Sequence, residues 1–317
     1  MSDFLLRHEG GDINEAMLES MMGQMFNAEQ ITVTETDSFQ WGEKPIYALE
    51  ATNESSCLLT NTEFENVVQV SKSGNKEKQV NVGVYGVCVT DNNEVYVSGV
   101  KNRSISRLSP SGSVSPVFST APLVPMGICQ TMDGGLLITL WDTKPDYLQQ
   151  NSDSRHLVRH VTPTGDVIHE YEYQEDGQTR LFTEPERVTQ NGNTDICVTN
   201  MTSDTTGELL ILSFSGSMKS VYPKQEHRHI FFLTDVVCDS YRNIIVSEAL
   251  NSSVHLLSSD GEFLRYLLTE NQVNHPNSMS LKMSKMWICD YHGGVKVFHY
   301  NSKCEDKQVY SINQILY

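Results

Sequence analysis

The chain has 317 residues and is 38% hydrophobic, enough for one large core without a second domain. Lys and Arg number 23 against 40 Asp and Glu, a net charge of −17 that is spread along the chain rather than gathered in a tail. That balance argues against recognition of a phosphate backbone by clustered cations, and no run of eighteen apolar residues offers a membrane-spanning helix.

Residues 1–28 read as a segment of their own. Ile13, Met17, Met21 and Met25 recur every four residues, with Leu18 and Met22 beside them, which predicts a helix with one apolar face. Asp12 is placed to cap its first turn. Two readings stand side by side: the end of a coiled coil, giving self-association, or a short helix packed on the domain that follows. The first seven residues lack the basic flank and length of a signal peptide, so a soluble, cytoplasmic protein is expected.

From residue 30 onward the chain reads as strands. Residues 30–35 alternate polar and apolar, then a unit of three or four short strands recurs. First strands fall at 47–50, 86–89, 127–130, 187–190, 236–238 and 278–281. Second strands follow at 57–60, 95–98, 136–140, 195–199, 244–247 and 287–289. Val, Ile, Leu and Cys dominate these runs, and turn residues bound them. Five third strands end in an apolar residue, Ser or Thr, any residue, Ser, Thr or Asp, then Gly, with glycines at Gly74, Gly112, Gly165, Gly216 and Gly261. Glycine supplies the positive φ that a tight turn needs at its tip. A period of about 38 to 53 residues suits one four-stranded propeller blade. The expected fold is therefore all-β, a six-bladed propeller over 29–301 with a tail at 302–317. The sixth unit, 276–300, is one strand short, and residues 30–35 are expected to supply its outer edge, with 308–312 as the weaker rival.

Gly134-Gly135 and Gly293-Gly294 occupy different columns, against a kelch repeat, and Trp141-Asp142 is the sole Trp-Asp pair, against a WD repeat. The blade written Gly86-Val87-Cys88-Val89-Thr90-Asp91-Asn92-Asn93-Glu94-Val95-Tyr96-Val97 resembles the NHL pattern, and 236–246 is similar to it. The final stretch 286–298 resembles the last blade of invertebrate tripartite-motif proteins. That resemblance implies a partner- or substrate-binding propeller. A ligase of that family also needs Cys/His zinc modules, and none of the seven cysteines forms a C-x-x-C pair. Cys88, Cys129 and Cys238 read as one column of first strands, and Cys57, Cys197 and Cys289 lie in second strands, as small packing groups. Ligase activity is not carried over.

The residues just before each first strand should ring the channel mouth: Ile46, Tyr85, Met126, Glu186, Asp235 and Asn277. Lactonase-type propellers hold Ca²⁺ with Glu, Asn and Asp from such positions, and Glu186, Asp235 and Asn277 are similar in kind. No nucleophile elbow, zincin motif or phosphate loop is present. His156, His160, His255 and His299 fall in strands and receive no ligand role. The loop 141–155, with Trp141, Tyr147 and Leu148, is longer than its counterparts and reads as a recognition loop. The expectation is a protein-interaction propeller without catalysis or cofactor, using Tyr85, Met126, Trp141, Tyr147, Arg187, Glu248, Tyr291 and His292 against a partner with a basic surface. A Ca²⁺-dependent lactonase-like hydrolase and an RNA-binding NHL propeller are the alternatives.

Overall fold

The structure is a computed structural model, and it describes residues 31–301 apart from 62, 64, 100, 143–153 and 225–229. The helix expected over 1–28, the tail 302–317 and Tyr147 lie outside the described residues. Among the described residues there are 24 strands and no helix.

The first strand, β1 (Thr32–Gln40), precedes five sequential blades. Blade one holds β2 (Ile46–Ala51), β3 (Ser56–Asn61), β4 (Val67–Ser71) and β5 (Lys76–Val80). Blade two holds β6 (Val84–Val89), β7 (Val95–Gly99), β8 (Ser104–Leu108) and β9 (Val114–Ser119). Blade three holds β10 (Val124–Gln130), β11 (Leu136–Trp141), β12 (His156–Val161) and β13 (Val167–Tyr171). Blade four holds β14 (Glu184–Gln190), β15 (Ile196–Ser203), β16 (Thr206–Leu212) and β17 (Met218–Tyr222). Blade five holds β18 (Leu233–Cys238), β19 (Ile244–Glu248), β20 (Ser253–Leu257) and β21 (Phe263–Leu268). Blade six holds β22 (Pro276–Lys282), β23 (Lys285–Asp290) and β24 (Gly294–Asn301), and its fourth strand is β1. The alternating segment near the front thus seals the last sheet, reaching to Gln40 rather than stopping at residue 35.

Burial explains the strand sequences. Middle strands are covered on both faces and read as mainly apolar runs with buried polar groups near their ends, as in Leu136–Trp141 with Thr139 and Ile244–Glu248 with Ser247 and Glu248. Outer strands face solvent, so β5 reads Lys-Glu-Lys-Gln-Val and is mostly exposed. Successive sheets pack face to face. Trp287, Cys289 and Val297 of blade six meet Ile46, Leu49 and Leu59 of blade one, and Leu137 and Val158 of blade three meet Val188 and Val198 of blade four.

The five glycine tips all have positive φ, from 78° at Gly74 to 98° at Gly165 and Gly216. The hydroxyl that opens each motif has a task. Ser71, Ser109, Thr162, Ser213 and Ser258 each accept the backbone N–H of the residue after the glycine, at 3.0–3.2 Å. The tips also reach the preceding blade: a Cβ on Gly165 would lie 2.3 Å from the Phe118 ring of β9.

Candidate active site in the central channel

Every innermost strand carries a β-bulge near its start, where pairing skips from Ile46 to Ala48, Val84 to Gly86, Pro125 to Ile128, Pro185 to Val188, Leu233 to Asp235 and Pro276 to Ser278. A bulge inserts one unpaired residue and re-aims its side chain. The second strands mark the register, because Thr60, Ser98, Thr139, Thr199, Ser247 and Cys289 stand at one level. Against that marker the inserted residues are Tyr47, Tyr85, Met126, Glu186, Thr234 and Asn277. The column read from sequence was therefore one residue off in two blades, with Ile46 in place of Tyr47 and Asp235 in place of Thr234. The same slip misplaced Cys238, since Val237, not Cys238, shares a level with Cys88 and Cys129.

The marker hydroxyls hold the bulges. Ser98 Oγ accepts the Gly86 N–H at 2.6 Å and donates to the Met126 carbonyl of the next blade at 2.6 Å. Thr139 Oγ1 accepts from Gly127 N at 2.7 Å and donates to the Glu186 carbonyl at 2.9 Å. Blades approach so closely here that a Cβ on Gly86 or Gly127 would lie 2.4 Å from those carbonyl oxygens. Both glycines are required by that contact.

One step further along each strand, Ala48, Gly86, Gly127, Arg187, Asp235 and Ser278 line the channel. The first three blades and the sixth offer small residues and the fourth offers the long arginine, which crosses the space they leave. Its guanidinium donates to the Tyr47 carbonyl and, at 3.4 Å, to the Tyr85 carbonyl, and it lies over the Tyr47 ring at 4.7 Å. Glu186 accepts the Tyr47 hydroxyl at 2.9 Å. Burial raises the Glu186 pKa, and Arg187 and the Tyr47 hydroxyl oppose the rise. Burial, then the Glu186 charge, raises Tyr47, Tyr85 and Tyr291 in turn. At the start of the same strand, burial and then Glu186 and Asp204 push Glu184 up to about 7.

Beside this crossbar lies a cavity of about 520 Å³, lined by all six innermost strands. Its far end is bounded by Asp91, Met132, Lys282 and Met283. Glu50 lines it, and burial pushes this carboxyl up to about 8, with Asp235 adding to the rise while the Ser280 hydroxyl and Lys282 oppose it. Cys88 and Cys129 line it too, but burial raises both thiols, Cys129 to about 12, so neither is a thiolate nucleophile at neutral pH.

No protein-family model matches the chain, and a search of curated proteins finds no match. Solved structures do match. A gluconolactonase of Xanthomonas campestris is 12% identical, with 86% of this chain and 96% of that one covered at a TM-score of 0.62. A virginiamycin B lyase of Staphylococcus aureus is 12% identical, with 85% and 99% covered at 0.57. An aldose sugar dehydrogenase of Streptomyces coelicolor is 12% identical, with 86% and 99% covered at 0.60. The likeness establishes the fold. It also corrects two expectations. The tripartite-motif NHL resemblance finds no support in a family model, and the expectation of a chain without catalysis is corrected, because the similar structures carry the names of enzymes.

The residues expected at a binding face divide. Tyr85 and Arg187 meet at the channel, and Tyr291 feels the Glu186 charge. Met126 is 4% exposed, and Glu248 is fully buried, its carboxylate accepting the N–H groups of Phe232, Leu250 and Asn251, so neither offers a contact to a partner. Trp141 donates its indole N–H to the Pro185 carbonyl at 2.7 Å and stacks on His156, which ties it to the next blade. His292 is exposed, and its carbonyl accepts from Gln40.

The trio Glu186, Asp235 and Asn277 does not fit a calcium ion. Asn277 donates to the Ile46 carbonyl at 2.6 Å, and Asp235 accepts from Ser278 Oγ, Met279 N and Val236 N within 2.7–2.8 Å. Arg187 sets a fixed positive charge beside both carboxylates. Hard cations need six to eight oxygens, which this set does not present. Sequence reasoning missed Glu50 and Glu184. A charged residue among the apolar residues of an innermost strand was the available signal.

Proposed function

We propose that the chain is a lactonase-like hydrolase that opens a cyclic ester in the central channel, with Arg187 in the electrostatic role a bound cation would take. The observation that carries this reading is a fixed guanidinium set across the channel beside a cavity whose lining includes the Glu50 carboxyl. The two channel carbonyls take two of the five guanidinium N–H donors, and its charge favours an oxygen that becomes negative. Water adds to the ester carbonyl, the ring C–O bond breaks, and Glu50 gives its proton to the departing ring oxygen. Glu50 then regains a proton from the water that has added, and a hydroxy acid leaves. A pKa of about 8 suits that exchange near neutral pH. The names of the structural neighbours, a gluconolactonase among them, support the substrate class by analogy of fold.

The test is a pH-stat assay of the purified chain on five- and six-membered sugar and alkyl lactones, with a chelator present. Turnover is expected, falling as pH rises through about 8, and Glu50→Gln should lower kcat by about 100-fold or more. Arg187→Met should raise KM and lower kcat together. A wild-type chain inert on every lactone, or a Glu50→Gln variant as active as wild type, rules the proposal out.

A further inference from the structure

The channel cavity presents a cation that the proposed ester opening does not use. Its charged lining residues are Glu50, Asp91, Arg187, Asp235 and Lys282. Asp235 is bound by Ser278 Oγ, Met279 N and Val236 N, and Arg187 is held by the carbonyls of Tyr47 and Tyr85. Asp91 is exposed to water on the turn after β6. Lys282 is different. It is half-buried at the end of β22, and among the described residues it makes no hydrogen bond and no ion pair. It stands close enough to Glu50 for its charge to oppose the rise of that carboxyl.

The turn that follows fixes its place. Met283 and Ser284 alone join β22 to β23, and Met283 takes a positive φ of 54°. Ser284 Oγ donates to Glu54 of blade one at 2.7 Å, and the Ser284 carbonyl accepts Tyr300 N at 2.8 Å, so the turn is tied on two sides. The same turn sets Lys282 directly opposite Lys285 in the ladder. Like charges so placed repel. Lys285 has an outlet, since it donates to Thr36 Oγ1 at 3.2 Å and lies near Glu54. Lys282 has none and lines the cavity instead. A half-buried ammonium without a counter-ion gains more from an incoming anion than an exposed one, whose charge water already screens. A single ammonium, with Asp91 and Asp235 also in the lining, balances one carboxylate and not a phosphate dianion. The cavity volume suits a small ring that bears one such group.

We propose that the channel cavity takes a small ring bearing a carboxylate, paired with the Lys282 ammonium, so that the lactone of the proposed reaction is an acidic one. The preference among lactones rests on the hydrolase reading, whereas binding tests the pairing without it. Two matched pairs are the probes. The lactams pyroglutamate and its alcohol pyroglutaminol, which do not open, report binding by calorimetry on the full chain. The γ-carboxy and γ-hydroxymethyl forms of γ-butyrolactone report turnover. Pyroglutamate should bind at least about fivefold tighter than pyroglutaminol, and kcat/KM should favour the carboxylated lactone by a similar ratio. Lys282→Met should bring both ratios to about one, and Lys282→Arg should keep most of the preference. Using ratios cancels whatever the lysine does to Glu50. Lys285→Met, on the opposite strand, should leave the preference intact. Equal affinity for the two lactams, no binding of pyroglutamate, a Lys282→Met variant that keeps the preference, or a Lys285→Met variant that loses as much of it overturns the proposal. Tighter binding of pyroglutamate that depends on Lys282, with neither lactone opened, would support the carboxylate site and sink the hydrolase reading alone.

Discussion

Arg187 and Glu50 show how neighbouring small residues decide what a charged side chain can do. Arg187 crosses the channel because Ala48, Gly86 and Gly127 face it, and the glycines are themselves demanded by the next blade's carbonyls. Glu50 sits one pleat further along its strand, where burial keeps its proton on up to about 8. An unfolded chain releases that proton near pH 4.3, so the unfolded state gains relative to the folded one as pH rises from about 4.3 to 8. The stabilising contrast is fully present below that window and is lost above it. Glu50→Gln removes the titration. Thermal melts should therefore find the variant more stable than wild type at pH 8.5, on the order of 1–3 kcal/mol after solvent screening, and no more stable at pH 4. Equal stability at both pH values would mean that Glu50 titrates normally.

The turn between the third and fourth strands is the repeating element, and its parts can be tested separately. Gly165 and Gly134 both have positive φ, 98° and 85°, so alanine at either meets a similar backbone penalty of about 1 kcal/mol. Their surroundings differ. A Cβ at Gly134 meets nothing within 4 Å, whereas at Gly165 it runs into Phe118 of the preceding blade. Denaturant unfolding of Gly165→Ala should show a further loss of about 1–3 kcal/mol over Gly134→Ala, the usual range for overpacking. Equal losses would make the tip a local turn with no part in holding blades together.

At the scale of the whole molecule the ring depends on β1 lying beside β24. Thr36 Oγ1 donates to the Val297 carbonyl at 3.2 Å, Lys296 pairs with Glu35 at 3.0 Å, and Trp41 N donates to Gly293 at 2.9 Å. Deleting residues 1–27 leaves this strand in place and should give a folded monomer. Deleting residues 1–40 leaves the edge of β24 open, and light scattering should report aggregation or a sharply lowered melting temperature. If the longer deletion is as stable and as soluble as the shorter one, the pairing of β1 with β24 is not what seals the ring.

The blade period, the five glycine tips and the closing strand were legible in the sequence because each is a local matter of alternation, hydroxyl capping or positive φ. The channel was not. Reading the mouth as Ile46 and Asp235 instead of Tyr47 and Thr234 came from bulges that leave no mark in composition, since only pairing across to Thr60 and Ser247 reveals the inserted residue. Glu248 looked like a contact residue until its carboxylate proved to be buried and engaged by backbone N–H groups. Sequence alone determined that a repeating antiparallel blade would form, since hydrogen-bonded strands and turns answer to near neighbours. Tertiary structure decided where charge stands, because only ring closure brings Arg187 to the carbonyls of Tyr47 and Tyr85, more than a hundred residues away, and sets Glu50 in the lining of the channel cavity.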